Sequence, residues 1–446
     1  MLISLGQLYS FDLMSRDFQV YYQEAVDLIN AELPDLRQQT ALNPAAAGRL
    51  ADKLQQLGEI RSGLGNAQQA LEPALEATRI YRGLAKKDMA NTEKLAGALE
   101  SLAEHYRRDD QLERALQANQ DAVQALRELA MINPSKRLVL AKALLNLGKR
   151  YTQADKLQQA LATDKEAVLI LREVAKTSLD ARNLLASSLG HNLYNSYLEL
   201  GLHRQALQAA EESVQLFRGL QANDSVVDLM FPVAIMNVGL GHARLGQWHQ
   251  SLLAFAEAVG QSRKQQDVVF GGHVWHSTAL SFLALPYNAL GRRQEAMAAS
   301  RQALKVLAGQ APKNSDMKII YTSLLQQLAS SYADLGLFND ALPPMLEAVR
   351  ISNTLDNTDR KSILRAEILV ALARLYSKLG RNQESLATAT EAALIFQNRS
   401  GRPGMRKTSA ASALNYKGLS ALQPWRIKVG SLQHERSHPV AARSQC

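Results

Sequence analysis

The sequence repeats itself about every 45 residues, and this periodicity constrains its fold more than any other feature. A glycine, replaced twice by aspartate, recurs at 65, 110, 155, 201, 246, 291, 336 and 380. We call these eight positions the turn marks. A period between 20 and 50 residues is typical of solenoids and related arrays, in which each unit packs mainly against its neighbours.

Small residues follow every turn mark at fixed distances. They stand five residues after it (Ala70, Ala115, Ala160, Ala206, Ser251, Ala296, Ala341, Ser385) and twelve after it (Ala77, Ala122, Ala167, Ser213, Ala258, Ala303, Ala348, Ala392). Positions seven apart lie on one face of an α-helix, where small side chains allow another helix to approach closely. Glycine, or a tolerated aspartate, at the mark indicates a turn with positive φ. Each unit is therefore predicted to be a hairpin: a first helix ending near the mark, then a second helix.

This pattern resembles the tetratricopeptide repeat (TPR), in which a helix ends in Leu-Gly-x-x-Tyr and the next helix opens with a small residue. The segment 147–151 reads Leu-Gly-Lys-Arg-Tyr and is followed by Ala160 and Ala167. The period is longer than the usual repeat and is similar to that of kinesin light chains and of sensor regions in signalling NTPases. The resemblance implies an all-α fold, a right-handed superhelical α-solenoid of about nine hairpins over 1–398. The expected units lie near 1–42, 43–88, 89–133, 134–178, 179–224, 225–269, 270–313, 314–358 and 359–398.

The two ends of the chain depart from the pattern. The first unit is incomplete, since Leu5-Gly6 and Tyr9 fit the end of a first helix that has almost no length. Either the native protein extends further upstream or a half-repeat caps the array, and the sequence leaves both open. Residues 399–446 lose the periodicity and are predicted to form a disordered tail.

The charge of the chain lies mostly in that tail. The whole chain carries +9, but from Arg399 onward there are nine Lys or Arg and one acid, Glu435. The body is therefore almost neutral, and the charge of the whole chain does not predict nucleic-acid binding. RNA binding by the tail itself stays an open, less favoured alternative.

The longest uncharged stretch, 268–291, contains Gly, His and Pro and is a poor match to a membrane span. The single cysteine, Cys446, fits a reducing compartment, so we expect a cytoplasmic protein.

A search for chemistry-bearing motifs is negative. The sequence lacks a phosphate-binding GxxxxGK[ST] loop, HExxH, an EF-hand loop, GxGxxG and GxSxG. His273 and His276 flank Trp275, but no cysteine or nearby acid completes a metal site, so we interpret them as loop or interface histidines. We predict no enzymatic activity and no cofactor.

The resemblance also implies that first helices line a concave groove. Its side chains are expected three, six and ten residues before each turn mark, which makes the groove run from acidic through basic to largely uncharged. Asparagine amides there are suited to bonding the backbone of an extended peptide. The candidate groove residues are Glu100, Glu104, Lys149, His191, Asn195, Met236, Leu240, Ser281, Leu285, Asn288, Gln326 and Arg374.

The function predicted from these features is that of a protein-interaction scaffold or sensor that binds a peptide or protein segment. The alternative is the regulatory C-terminal portion of a larger signalling enzyme, an NTPase or a protease, whose catalytic domain lies outside this chain. The sequence predicts a protein partner without identifying it, and it leaves the oligomeric state open.

Overall fold

The structure is a computed structural model that describes residues 16–109, 111–220, 225–265, 272–308, 315–355 and 359–397. Over these ranges every regular element is helical. The chain forms two compact units, 1–356 and 357–446, which are described separately. Residues 1–15, the boundary at 398 and 399 and the predicted tail all lie outside the described residues.

The described part of the first unit is a succession of antiparallel helical hairpins, an α-solenoid. Its first described helix, α1 (Arg16–Leu42), takes the place of a second helix. The following first and second helices are α2 (Ala47–Gly63) and α3 (Ala67–Lys87), α4 (Thr92–Arg108) and α5 (Leu112–Ile132), α6 (Arg137–Gln153) and α7 (Leu157–Val174), α8 (Leu179–Ser188) with α9 (Tyr194–Glu199) and α10 (His203–Gly219), α11 (Ser225–Arg244) and α12 (Trp248–Gln265), α13 (Gly272–Phe282) with α14 (Ala284–Ala289) and α15 (Arg293–Ala308), and α16 (Ser315–Asp334) and α17 (Phe338–Ser352).

The second unit contains one described hairpin. Its helices are α18 (Asp359–Lys378) and α19 (Asn382–Gln397), with the turn mark Gly380 between them. Arg365 on α18 pairs with Glu391 on α19 across the hairpin.

The turn marks adopt the backbone conformation that the sequence predicts. All six glycine marks have φ between 71° and 84°. Asp155 also has a positive φ, 59°, the left-handed conformation that aspartate tolerates better than most residues. Asp110 lies outside the described residues. The hairpin turns therefore follow directly from the repeat.

The small residues after the marks form the packing surface of the second helices. All sixteen are buried, with at most 5% of their surface exposed. Where serine replaces alanine, its hydroxyl bonds a carbonyl of the first helix: Ser251 Oγ donates to Gly239 O and Ser385 Oγ to Ala373 O, both at 2.8 Å. A polar group is thus satisfied at a position where only a small side chain fits.

Two first helices are interrupted. Leu189–Leu193 forms a π-helical turn between α8 and α9. The spacing from Asp155 to Gly201 is 46 residues, one more than the usual 45, and the π-helical turn accommodates this single extra residue. Pro286 has no amide hydrogen, and the helix containing it breaks at Leu283, between α13 and α14.

Candidate partner-binding face

Consecutive first helices are joined by side-chain amides that stand nine residues before a turn mark. Asn146 Nδ2 donates to Glu100 Oε1 at 3.0 Å, and Gln327 Nε2 donates to Ser281 O at 2.7 Å. Asn237 Nδ2 donates to Gly190 O at 2.6 Å. Because of these bonds, the residue that stands ten positions before a mark lies between two consecutive first helices. We call this location the seam.

Two predicted groove residues are consequently not on the open face. Met236 is 3% exposed and Ser281 is 4% exposed, and both stand ten residues before their marks. The expectation that they face a ligand is corrected here, because that position packs against the neighbouring helix. Glu100 at the equivalent position is half-buried, and burial raises the pKa of its carboxyl group.

His191 stands ten residues before Gly201 yet is exposed, and the π-helical turn explains the difference. The extra residue shifts the register of the helix before it by one, so Gly190 takes the seam position and accepts the bond from Asn237. His191 then turns outward, 3.5 Å from the Asn195 amide. Desolvation by the surrounding helices and the charge of Lys149 both lower the pKa of His191, so its imidazole is neutral at pH 7.

A cluster of arginines surrounds Glu104 at the early end of this face. Its carboxylate accepts bonds from Arg107 Nε at 2.9 Å, Arg108 Nε at 3.2 Å and Arg150 Nη2 at 2.6 Å. Burial alone raises the pKa of Glu104, but the hydrogen bonds and charges of these guanidinium groups lower it to about 2. The carboxylate is therefore ionised at neutral pH, and three cations share it. With exposed Lys149 nearby, the cluster carries a positive excess.

Beyond the cluster the face becomes apolar and amide-rich. Leu240 and Asn288 are half-buried, and Leu285 is 40% exposed. Within the described residues, Asn288 Oδ1 is a buried oxygen without a hydrogen-bond partner. Gln326 is also half-buried, and Arg374 is half-buried within the second unit.

Only some of the predicted groove residues therefore lie together on one stretch of the first-helix face. Glu104, Lys149, His191 and Asn195 lie on neighbouring first helices, with contacts or charge interactions between them. Sequence reasoning missed the bridging amides Asn146, Asn237 and Gln327. Their signal was available, because a hydrogen-bonding residue recurs nine positions before most marks.

Other kinds of site find no support in the described part of the chain. No group of three His, Cys, Asp or Glu residues there is placed to hold a metal ion. His276 is buried, and its Nδ1 lies 3.1 Å from Ser262 Oγ. No helix in the described ranges is long and apolar enough to span a membrane.

Comparison with solved structures finds other helical repeat proteins. The TPR-sensor ATPase of the STAND class from Pyrococcus horikoshii is 14% identical, with a TM-score of 0.48, 84% of this chain covered and 53% of that one. BtubC from P. vanneervenii is 17% identical, with a TM-score of 0.47, covering 56% of this chain and 95% of that one. A Rap protein complexed with competence and sporulation factor is 12% identical, with a TM-score of 0.43, covering 85% and 98%. No curated protein matches the chain.

Comparison with protein families gives one match that extends over most of the chain. The model described as anaphase-promoting complex subunit 5 matches in four stretches, 22–191, 181–280, 312–368 and 354–406. Successive matches of one model to consecutive stretches are expected of a repeat array. The hairpins, their positive-φ turns and this match agree, and the chain belongs to the anaphase-promoting complex subunit 5 family, within the TPR-like superfamily.

Proposed function

We propose that the protein is a non-enzymatic scaffold or sensor that binds a peptide or protein segment on the face of its first helices, between Lys149 and Leu285. The observation that carries the proposal is the row of accessible, chemically different side chains there: a cation at Lys149, a neutral imidazole at His191 and an apolar group at Leu285. TPR-like families are generally non-catalytic scaffolds, and the family is described as a subunit of a complex, which also supports the proposal.

Each group on this face has a distinct role in recognition. Lys149 and the arginine excess around Glu104 attract a carboxylate of the segment, because three guanidinium groups share one fixed anion. The Asn195 amide both donates and accepts, as the backbone of an extended peptide requires. Leu285 offers exposed apolar surface, whose burial favours binding by about 25 cal/mol per Å².

Replacing the three exposed residues together, Lys149→Ala, His191→Ala and Leu285→Ala, is expected to weaken capture of the partner at least about tenfold, which corresponds to about 1.4 kcal/mol. All three side chains are exposed, so folding stability should change little. The measurement is quantitative affinity capture from native lysate with the intact chain, after helicity has been matched by circular dichroism.

A matched variant changes the same residue types on the second helices: Lys86→Ala, His249→Ala and Leu253→Ala. It should retain the captured partner. If both variants retain it, the first-helix face is not the binding surface. If only the second-helix variant loses it, recognition takes place on the opposite side of the hairpins.

A further inference from the structure

Ion pairs join consecutive second helices at one repeated position. The pairs are Arg37 with Glu76 at 2.7 Å, Arg82 with Asp121 at 3.3 Å, Arg127 with Glu166 at 2.8 Å, Arg172 with Glu212 at 2.8 Å, and Arg218 with Glu257 at 2.6 Å. In all five pairs the acid stands eleven residues after a turn mark, and in the last four the arginine stands seventeen residues after the preceding mark. Each pair bridges the trough that two second helices form over the first helix between them.

The pair between α3 and α5 is the longest of these five. Its acid is Asp121, one methylene shorter than the glutamate at the other four positions, and the oxygen lies 3.3 Å from Arg82. A groove of about 590 Å³ opens beside this pair, with α4 as its floor. Its lining residues are Leu75, Thr78, Arg79, Arg82, Leu99, Leu102, Tyr106, Arg114, Gln117, Ala118 and Asp121. We call this space the α3–α5 groove.

The α3–α5 groove combines cationic walls with an apolar floor. Arg79 stands on one wall, and within the described residues it has no ion-pair partner. Arg114 on the other wall lies over the ring of Tyr106, 5.9 Å from its centroid. Leu99 and Leu102 on α4 line the floor and are 3% and 5% exposed, and Leu75 beside them is 44% exposed, so the space between the walls has an apolar lining. Three arginines thus face one aspartate in the lining.

The positive charge is specific to this groove rather than a property of the repeat. At the positions of Arg79 and Arg114, the next unit carries Gln124 and Gln159. The equivalent groove between α10 and α12 is smaller, about 220 Å³, and its lining contains Glu211 and Glu257 with one arginine. The repeat alone therefore does not account for Arg79, Arg114 and Leu75.

We propose that the α3–α5 groove binds an acidic peptide segment in which an apolar side chain lies between carboxylates. The apolar side chain contacts Leu75 and the α4 floor, and the carboxylates pair with Arg79 and Arg114. Residues 75 to 82 extend along about 10 Å of helix, at 1.5 Å per residue, so the cationic wall runs along a trough suited to an extended segment. The chain's own basic 399–446 segment has the wrong charge for it. The walls of the groove are second helices and its floor is α4, and it shares no residue with the first-helix face of the proposed function.

The test uses the full chain and three fluorescein-labelled synthetic peptides of equal length, measured by fluorescence anisotropy. One alternates Glu with Leu, one alternates Glu with Ser, and one alternates Lys with Leu. The Glu–Leu peptide is expected to bind and the Lys–Leu peptide is not. The Glu–Ser peptide is expected to bind more weakly than Glu–Leu, because it gains nothing from the apolar floor.

The decisive variant is Arg79→Gln with Arg114→Gln, which gives the groove the residues that the next unit carries. It should weaken Glu–Leu binding at least about tenfold. The matched control, Arg204→Gln with Arg293→Gln, removes the same charge from exposed positions of other second helices and should leave the affinity unchanged. Both arginine pairs are exposed, so both variants are expected to fold.

Three results would overturn the proposal. They are equal affinity of the wild type and the groove variant, an equal loss in the control, and no Glu–Leu binding by the wild type. If inorganic phosphate displaces the peptide while Glu–Leu and Glu–Ser bind equally well, the groove is a general anion site and the apolar part of the proposal is wrong. Because Lys149, His191 and Leu285 are unchanged in these variants, the outcome is independent of the proposed first-helix function.

Discussion

Replacing Asp164 with Asn is expected to raise the free energy of unfolding by about 3 kcal/mol at pH 7. Asp164 lies on α7, is 2% exposed and receives one hydrogen bond, from Ser196 Oγ to Oδ2 at 2.5 Å. Its other oxygen, Oδ1, is buried without a partner in the described structure. Desolvation raises the pKa of Asp164 to about 6, so the folded state carries a poorly solvated carboxylate at neutral pH.

The equivalent position one unit earlier shows why an amide fits. Asn119 is 2% exposed, and its Nδ2 donates to Ala115 O at 3.0 Å. In Asp164→Asn the amide can donate in the same way to the carbonyl of Ala160, four residues earlier, while its oxygen keeps the bond from Ser196. The substitution therefore removes a buried charge and satisfies a buried polar atom together.

The increase in the free energy of unfolding that we expect for Asp164→Asn depends on pH in a defined direction. The pKa of Asp164 is raised in the folded state, so protonation favours folding of the wild type below about pH 4, and this advantage is lost as the pH rises through about 6. The difference between variant and wild type should be small at pH 4 and largest above pH 6. Urea unfolding at several pH values measures it. Asp35→Asn, at an exposed position on α1, is the control and should change stability by less than about 0.5 kcal/mol. A gain that is equal at pH 4 and pH 7 would contradict the assigned burial of a charged carboxylate.

The sequence predicts the hairpins well because their signals are local. A turn with positive φ needs glycine or a tolerated substitute at one position, and close helix packing needs small residues seven apart. These requirements concern single positions, and they recur in every unit. The fold and the turn at Asp155 could therefore be predicted from the repeat alone.

The side chains that lie on the accessible face could be predicted only in part, since their exposure depends on how each unit packs against the next. Counting back from the turn marks assumes continuous α-helices. The 46-residue spacing to Gly201 shows that a residue has been inserted, but not that a π-helical turn at Leu189–Leu193 accommodates it. That turn exposes His191, whereas Met236, at the same count from its own mark, is buried. Similarly, the raised pKa of Asp164 follows from burial by neighbouring helices, and its one hydrogen bond comes from Ser196, 32 residues away.

The positions seven residues before and nine residues after a turn mark lie on the two helices of one unit, and in two successive units the large and small residues at these positions are exchanged. Gly239 on α11 faces Phe255 on α12, whereas Tyr194 stands where Gly239 does and Ala210 where Phe255 does. Phe255 is fully buried and stacks on Phe282, with ring centroids 5.4 Å apart. A Cβ atom at Gly239 would lie 2.7 Å from the Phe255 ring. The absence of a side chain at Gly239 is what makes room for this phenylalanine.

We therefore expect Gly239→Ala to lower the free energy of unfolding by about 1–3 kcal/mol, although alanine is the better helix former. Gly97→Ala, also within a first helix but with no atom within 4 Å of the added Cβ, should instead raise it by about 0.4–1 kcal/mol. The same glycine-to-alanine change is thus expected to alter the free energy of unfolding in opposite directions at the two positions. Chemical denaturation of both variants measures this. Adding Phe255→Leu to Gly239→Ala should recover part of the loss, because the shorter side chain relieves the overlap. If Gly239→Ala is as stabilising as Gly97→Ala, the close packing of α11 against α12 is wrong. A loss at Gly239 that Phe255→Leu does not reduce would mean that the backbone, rather than the Phe255 ring, is what excludes the added methyl group.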